Sequence, residues 1–344
     1  MKTIAAVCAL AVAASGAMGQ TGGRSACAEA GTLSSRLEFA DEARAKRILA
    51  HRDAFVKQMS KFDLGARLRT SEGVSTQDFT AFAGEQGLAW TAEEMAGWKP
   101  VVEKLSNAMK GLRVFVPGIE LVKTTGKEEF DAAYTRGRAI LLPASRAAAP
   151  AGNARGAYFL LAHELFHVLS REDSTLQDQL YGLLGFKLVK GFEYPAELEA
   201  TRGTNPDAFD YLHALSVQAA AGRVDVMPLI QTSRSLPEVL RLNSFFEALD
   251  VVLLAVDMNT GKAVRDENGQ LVKYGFANTD WVPMMRRNSS YIIHPEELLA
   301  DNFATLMEWR AEGSMPSRTP GGDAVDDTRL LTALRDALGA DCGQ

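Results

Sequence analysis

Cysteine and histidine are scarce in this 344-residue chain, which has three of the first and five of the second. Basic runs are missing altogether. With 43 acidic against 37 basic side chains the net charge is -6 and the pI near 5.5, which argues against nucleic acid and against anionic membrane surfaces as partners. Long apolar runs are also lacking. The most apolar stretch near the start, residues 3–14, falls short of the roughly 20 residues a membrane-spanning helix needs. No internal repeat, collagen period or heptad pattern occurs. What remains, at 47% hydrophobic residues, is the composition of an ordinary globular protein able to bury one large core or two modest ones.

The first residues read as an export signal. Met1-Lys2 is a short basic start, residues 3–14 are apolar, and Ala17-Met18-Gly19 offers the small residues a signal peptidase favours. Residues 1–19 are therefore expected to be removed, leaving a secreted or periplasmic protein. Cys8 lies in that stretch without the lipoprotein pattern around it, so no membrane anchor is expected after cleavage. Cys27 and Cys342, one near each end of the mature chain, would then stand in an oxidising compartment and are expected to form a disulfide.

Against this background one pattern stands out: His163-Glu164-Leu165-Phe166-His167, an H-E-x-x-H motif within the apolar run 158–169. Residues i and i+4 of a helix share a face, so two imidazoles can bind one metal ion while Glu164 handles a proton. The plainer reading is two core histidines. Buried imidazoles and a carboxylate need partners to offset their desolvation, and a metal supplies them.

Along the chain, residues 20–112 carry apolar side chains at helical spacing and read as a helical lobe, with Thr91 and Glu94 forming a capping box. His51 there reads as a solvated surface residue. Residues 113–312 form the expected catalytic domain. Short β-prone runs at 114–116, 119–122 and 139–142 predict a small sheet. The Ala/Pro/Gly stretch 144–152 predicts a loop, and Asn153 a cap for the motif helix, which Ser170 and the charged residues 171–173 would end. Ser174 could cap another helix. Runs at 224–230 and 249–256, with turn signals at Asn259-Thr260-Gly261 and Asn268-Gly269, predict a partly β insertion in which His213 is a core or strand residue. His294-Pro295 opens a further helix, and residues 313–344 form a linker and a last amphipathic helix. The class is α+β.

A catalytic zinc site needs three protein ligands and an open position, so a third ligand must join His163 and His167. Asp173 lies where metzincins place their third histidine, and is one candidate. Only one glutamate after His167 has an aspartate four residues on, Glu297 with Asp301. That spacing puts both on one helix face, so that one binds metal while the other holds a ligand histidine. The bland alternative is an acidic first turn stabilised by the helix dipole.

Through His163-Glu164-x-x-His167 and Glu297-x-x-x-Asp301 the chain resembles the gluzincin metallopeptidases of the thermolysin and neprilysin kind. The resemblance implies a zincin-like core and one zinc ion on His163, His167 and Glu297. It implies Glu164 as general base, Asp301 as the carboxylate behind a ligand histidine, and a strand at 139–142 as the edge beside which a peptide or protein substrate extends. The chain departs from the pattern in the 129 residues between His167 and Glu297 and in Glu296, where thermolysin-like sequences carry Asn. Tyr291 and His294 are the nearest candidates for an oxyanion donor; their plainer readings are a packed aromatic and a helix cap. The expected activity is zinc-dependent peptide hydrolysis. The same scaffold would also serve hydrolysis of a non-peptide substrate, and a non-enzymatic exported metal-binding protein is the third reading.

Overall fold

Alternation along two short strands organises the molecule. In the computed structural model, which describes residues 32–112, 114–209 and 212–339, β3 (Ile119–Thr124) and β5 (Ala139–Pro143) are buried on both faces. Leu121, Ile140 and Leu142 enter one core, and Val122, Ala139 and Leu141 the other. Successive strand side chains point to opposite faces, so these apolar runs need helices above and below. The expected signal at 1–19 and the pairing of Cys27 with Cys342 lie outside the described residues.

One of these layers comes from the N-terminal stretch. It holds α1 (Leu33–Arg36), α2 (Glu42–Leu49), α3 (Ala54–Gln58), α4 (Lys61–Arg67), α5 (Thr76–Gly84) and α6 (Ala92–Ala108). Thr91 and Glu94 form the capping box that starts α6. Two strands interrupt the helices: β1 (Leu37–Phe39) pairs parallel with β3, and β2 (Gly87–Leu88) antiparallel with it. The helical N-terminal stretch thus shares a sheet with residues 119–143.

That sheet runs β1-β3-β5-β4, with β4 (Tyr134–Arg136) antiparallel to β5. The strand at 139–142 is therefore interior, and the edge is β4. Three residues ahead of a turn at Gly137, which has φ 57°, are too few to show as a strand in sequence. Residues 114–116 form no strand either: Val114 and Val116 pack into the core while Phe115 is 56% exposed, and Pro117 ends any ladder by lacking an N–H. The stretch at 144–152 is helical, not a loop, with α7 (Ala144–Ala147) and α8 (Ala149–Gly152). Its alanines favour the helix and Pro150 pre-sets a first-turn φ.

Asn153 caps α9 (Ala154–Glu172) by accepting from the Gly156 amide at 2.9 Å. The next helix, α10 (Ser174–Gly182), is capped by Asp173 and not by Ser174. A second, antiparallel sheet comes next, ordered β6 (Lys187–Leu188), β7 (His213–Ala219), β8 (Gly222–Thr232), β9 (Leu249–Asp257), β10 (Lys262–Ala263), with β11 (Lys273–Tyr274) also on β9. Its turns at Gly261 and Gly269 take positive φ. Between β8 and β9 lies the short α11 (Leu236–Val239), and after the sheet α12 (Trp281–Met285). The chain returns to the first core in α13 (Pro295–Glu312), packed along α9, and ends in α14 (Thr328–Ala337). Among the described residues no helix is long and apolar enough to cross a membrane.

Candidate metal centre

Helices α9 and α13 bring the motif together. His163 and His167, one turn apart on α9, have ring centroids 4.8 Å apart with planes at 82°. Glu297, in the first turn of α13, places Oε2 at 3.2 Å from His163 Nε2 and 3.6 Å from His167 Nε2. One ligand atom from each of the three residues falls within 4.8 Å of the others.

The far side of each imidazole is held by a carboxylate. His163 Nδ1 lies 2.9 Å from Asp301 Oδ1, and Asp301 also accepts from Ser289 Oγ. His167 Nδ1 lies 3.0 Å from Glu296 Oε1. Glu296 further accepts from Ser170 Oγ at 2.6 Å and from the Tyr181 hydroxyl at 2.6 Å. Carboxylates on both Nδ1 atoms favour the tautomer whose Nε2 lone pair points to the shared space. Glu296 thus does for His167 what Asp301 does for His163.

Glu164, on the same helix, is 3% exposed. Burial, and after it the Asp207 charge, raise its carboxyl to about 8. Burial opposes protonation of the histidines, yet Asp301 and Glu297 draw His163 well above its usual value, and the charges of Asp207 and Glu297 bring His167 to about 9. Burial likewise disfavours the Glu297 anion, but the two imidazoles hold it down to about 2.

The residues fit a divalent metal on two independent grounds. His167 Nε2 and Glu164 Oε2 are buried without a hydrogen-bond partner, and such orphaned polar atoms are costly. The donor set, two neutral-capable imidazoles and a carboxylate, is one zinc accepts at a catalytic site.

The remaining candidates hold structural places. His294 is neither in the ligand group nor in the cavity wall described below: it is buried at the start of α13, where Nδ1 accepts from the Glu296 amide at 3.2 Å, and burial pushes it down to about 3. Asp173 caps α10 through the amides of Thr175 and Leu176 at 2.9 and 3.2 Å. It belongs to no group of residues able to share an ion among those described. His213 is buried on β7 with Nε2 at 2.6 Å from Asp178, and His51 is exposed.

Tyr291 does face the site. Its ring stacks on His163 at 6.4 Å and 28° while 43% of the residue is exposed. The Glu297 charge, then burial, keeps its phenol protonated well past its ordinary range. A cavity of about 720 Å³ opens beside it. His163, Glu164 and Glu297 form one side, and Phe159, Leu160, Ile230, Phe245 and Val251 contribute an apolar wall.

Two residues of the centre escaped sequence reasoning. Asn205 Nδ2 donates to Glu297 Oε1 at 2.5 Å, and its Oδ1 accepts from the Asp207 amide at 2.9 Å. The Asp207 carboxylate reaches the neighbourhood of Glu164 and His167 while accepting from the amide and hydroxyl of Thr135 at 2.7 and 2.6 Å. Asn205-Pro206-Asp207 reads locally as a turn. Only the fold carries it to the centre.

Comparison with known proteins yields no relative. No family model, no curated protein and no solved structure matches the chain. The geometry of the centre is therefore what bears on function.

Proposed function

We propose that the chain is a zinc-dependent peptidase with a zincin-like core, one zinc ion being held by His163, His167 and Glu297. The convergence of His163 Nε2, His167 Nε2 and Glu297 Oε2, with a carboxylate behind each imidazole and a cavity in front, carries this reading. A zinc ion so held supplies Lewis acidity toward water and a substrate carbonyl.

The chain's own residues do the rest. Glu164 accepts the proton of the attacking water on its unpartnered Oε2 and passes it to the leaving amine. Tyr291, which lines the cavity and keeps its phenol protonated, would support the developing oxyanion. Asp301 and Glu296 keep the two imidazoles in the ligating tautomer. The open cavity over the cluster favours catalysis over a structural metal, which has no use for an approach route.

The test is direct. Glu164→Gln is expected to keep about one zinc per chain by metal analysis and to lose peptide hydrolysis by about 10²-fold or more. Full hydrolysis in that variant removes Glu164 from the role of base. A chain that takes up no zinc overturns the reading as a whole.

A further inference from the structure

The N-terminal helix α4 and the metal centre are joined by buried polar contacts. Asp63 is fully buried, and both its oxygens are saturated. Oδ1 accepts from Arg67 Nη1 at 2.6 Å and from the Thr204 amide at 2.9 Å. Oδ2 accepts from the Ser60 amide at 2.9 Å and from Thr204 Oγ1 at 2.6 Å. Arg67, 2% exposed, forks onto Glu129 at 2.7 and 3.0 Å and donates to the Thr204 carbonyl at 3.1 Å. Ser60 Oγ holds the Arg202 carbonyl at 2.5 Å. Residues 202–204 are thus gripped at two carbonyls, one amide and one hydroxyl. The next residue is Asn205, whose amide group is fixed at both ends, by Asp207 and by Glu297.

Resting on the zinc reading, we propose that Asp63, Arg67 and Thr204 are positioning residues: they set the height of the 202–207 segment, and through Asn205 they orient the Glu297 carboxylate toward the two imidazoles. A carboxylate can turn about its last torsion, and a hydrogen bond to Oε1 selects the rotation that presents Oε2. The bond is useful only if its donor sits on rigid backbone. Buried charge pairs supply that rigidity, since breaking one strands an uncompensated charge. The N-terminal helices therefore support the centre instead of masking it.

Cobalt(II) uptake by the full chain tests this without any peptide substrate. Thr204→Val removes the hydroxyl at constant shape, and Asn205→Ala removes the last link. Each is expected to weaken cobalt binding by about 10-fold and to alter the visible d–d absorption in the same way. The double variant should bind no more weakly than either single one, because both cut one chain of contacts. Thr204→Ser should restore parental affinity and spectrum. The proposal is overturned if Thr204→Val lowers only the melting temperature, or if the two effects add. Should Thr204→Val fail to fold, unaltered affinity and spectrum in Asn205→Ala overturn it, and the 10-fold loss with an altered spectrum supports it. A parent chain that binds no cobalt sinks the zinc reading instead.

Discussion

Two neighbouring carboxylates are raised by the same burial but differ in their partners. Glu128 and Glu129 are 0% and 1% exposed. Glu129 has Arg67 for a partner, whereas Glu128 Oε2 has no hydrogen bond. Burial is the main cause raising both, Glu129 to about 7 from 4.5. A folded-state value above the unfolded one means the native state holds the proton more tightly, so the contribution is full below about 4.5 and is lost as pH rises through about 7. Glu128→Gln, which removes one raised carboxyl and the charge that helps to raise Glu129, is expected to flatten that decline. Thermal midpoints of parent and variant across this window measure it, and parallel curves contradict the assignment.

At the scale of elements, what matters is where a helix begins. The first turn of α13 sets Glu296 and Glu297 near the positive end of the helix dipole, with His294 as cap. Asn153 starts α9 nearly three turns before His163. Asp173 starts α10, and this role separates the two candidates for third ligand. Asp173→Ala is expected to cost about 1 kcal/mol of stability through its lost cap and leave zinc content unchanged. Glu297→Ala is expected to lower zinc content. Metal analysis with thermal unfolding distinguishes them, and zinc loss in Asp173→Ala reverses the assignment.

For the whole molecule, a metal on His163, His167 and Glu297 would clip together two helices separated by 122 residues of intervening chain. Ligand binding to the native state alone adds about 2.7 kcal/mol at one hundred times the dissociation constant. Chelation is therefore expected to lower the melting temperature by roughly 5 °C. An unchanged melting temperature after verified zinc removal excludes the clip.

Several features were legible along the chain because they are local. His163 and His167 share a face by helical periodicity, and Glu297 and Asp301 do so by the same rule. Caps at Asn153 and Thr91 depend on side chains within three residues of the amides they bind. The strand pattern of β8 and β9 reflects their own β-branched residues. The class, α+β, follows from these segments. Other features belong to pairing across long separations. That β4 and not β5 forms the edge depends on which strand finds a neighbour. Glu296, which had looked like a mismatch, became the support of His167 only once α13 lay against α9. Asn205 and Asp207 reach the centre because residues 202–204 are held by α4, which lies more than a hundred positions earlier. The helices, their capped ends and the two half-motifs were written in the chain alone, since backbone propensity and side-chain spacing act within a few residues. Tertiary structure alone decided which carboxylate stands behind which imidazole, because burial and hydrogen-bond satisfaction are settled between distant segments.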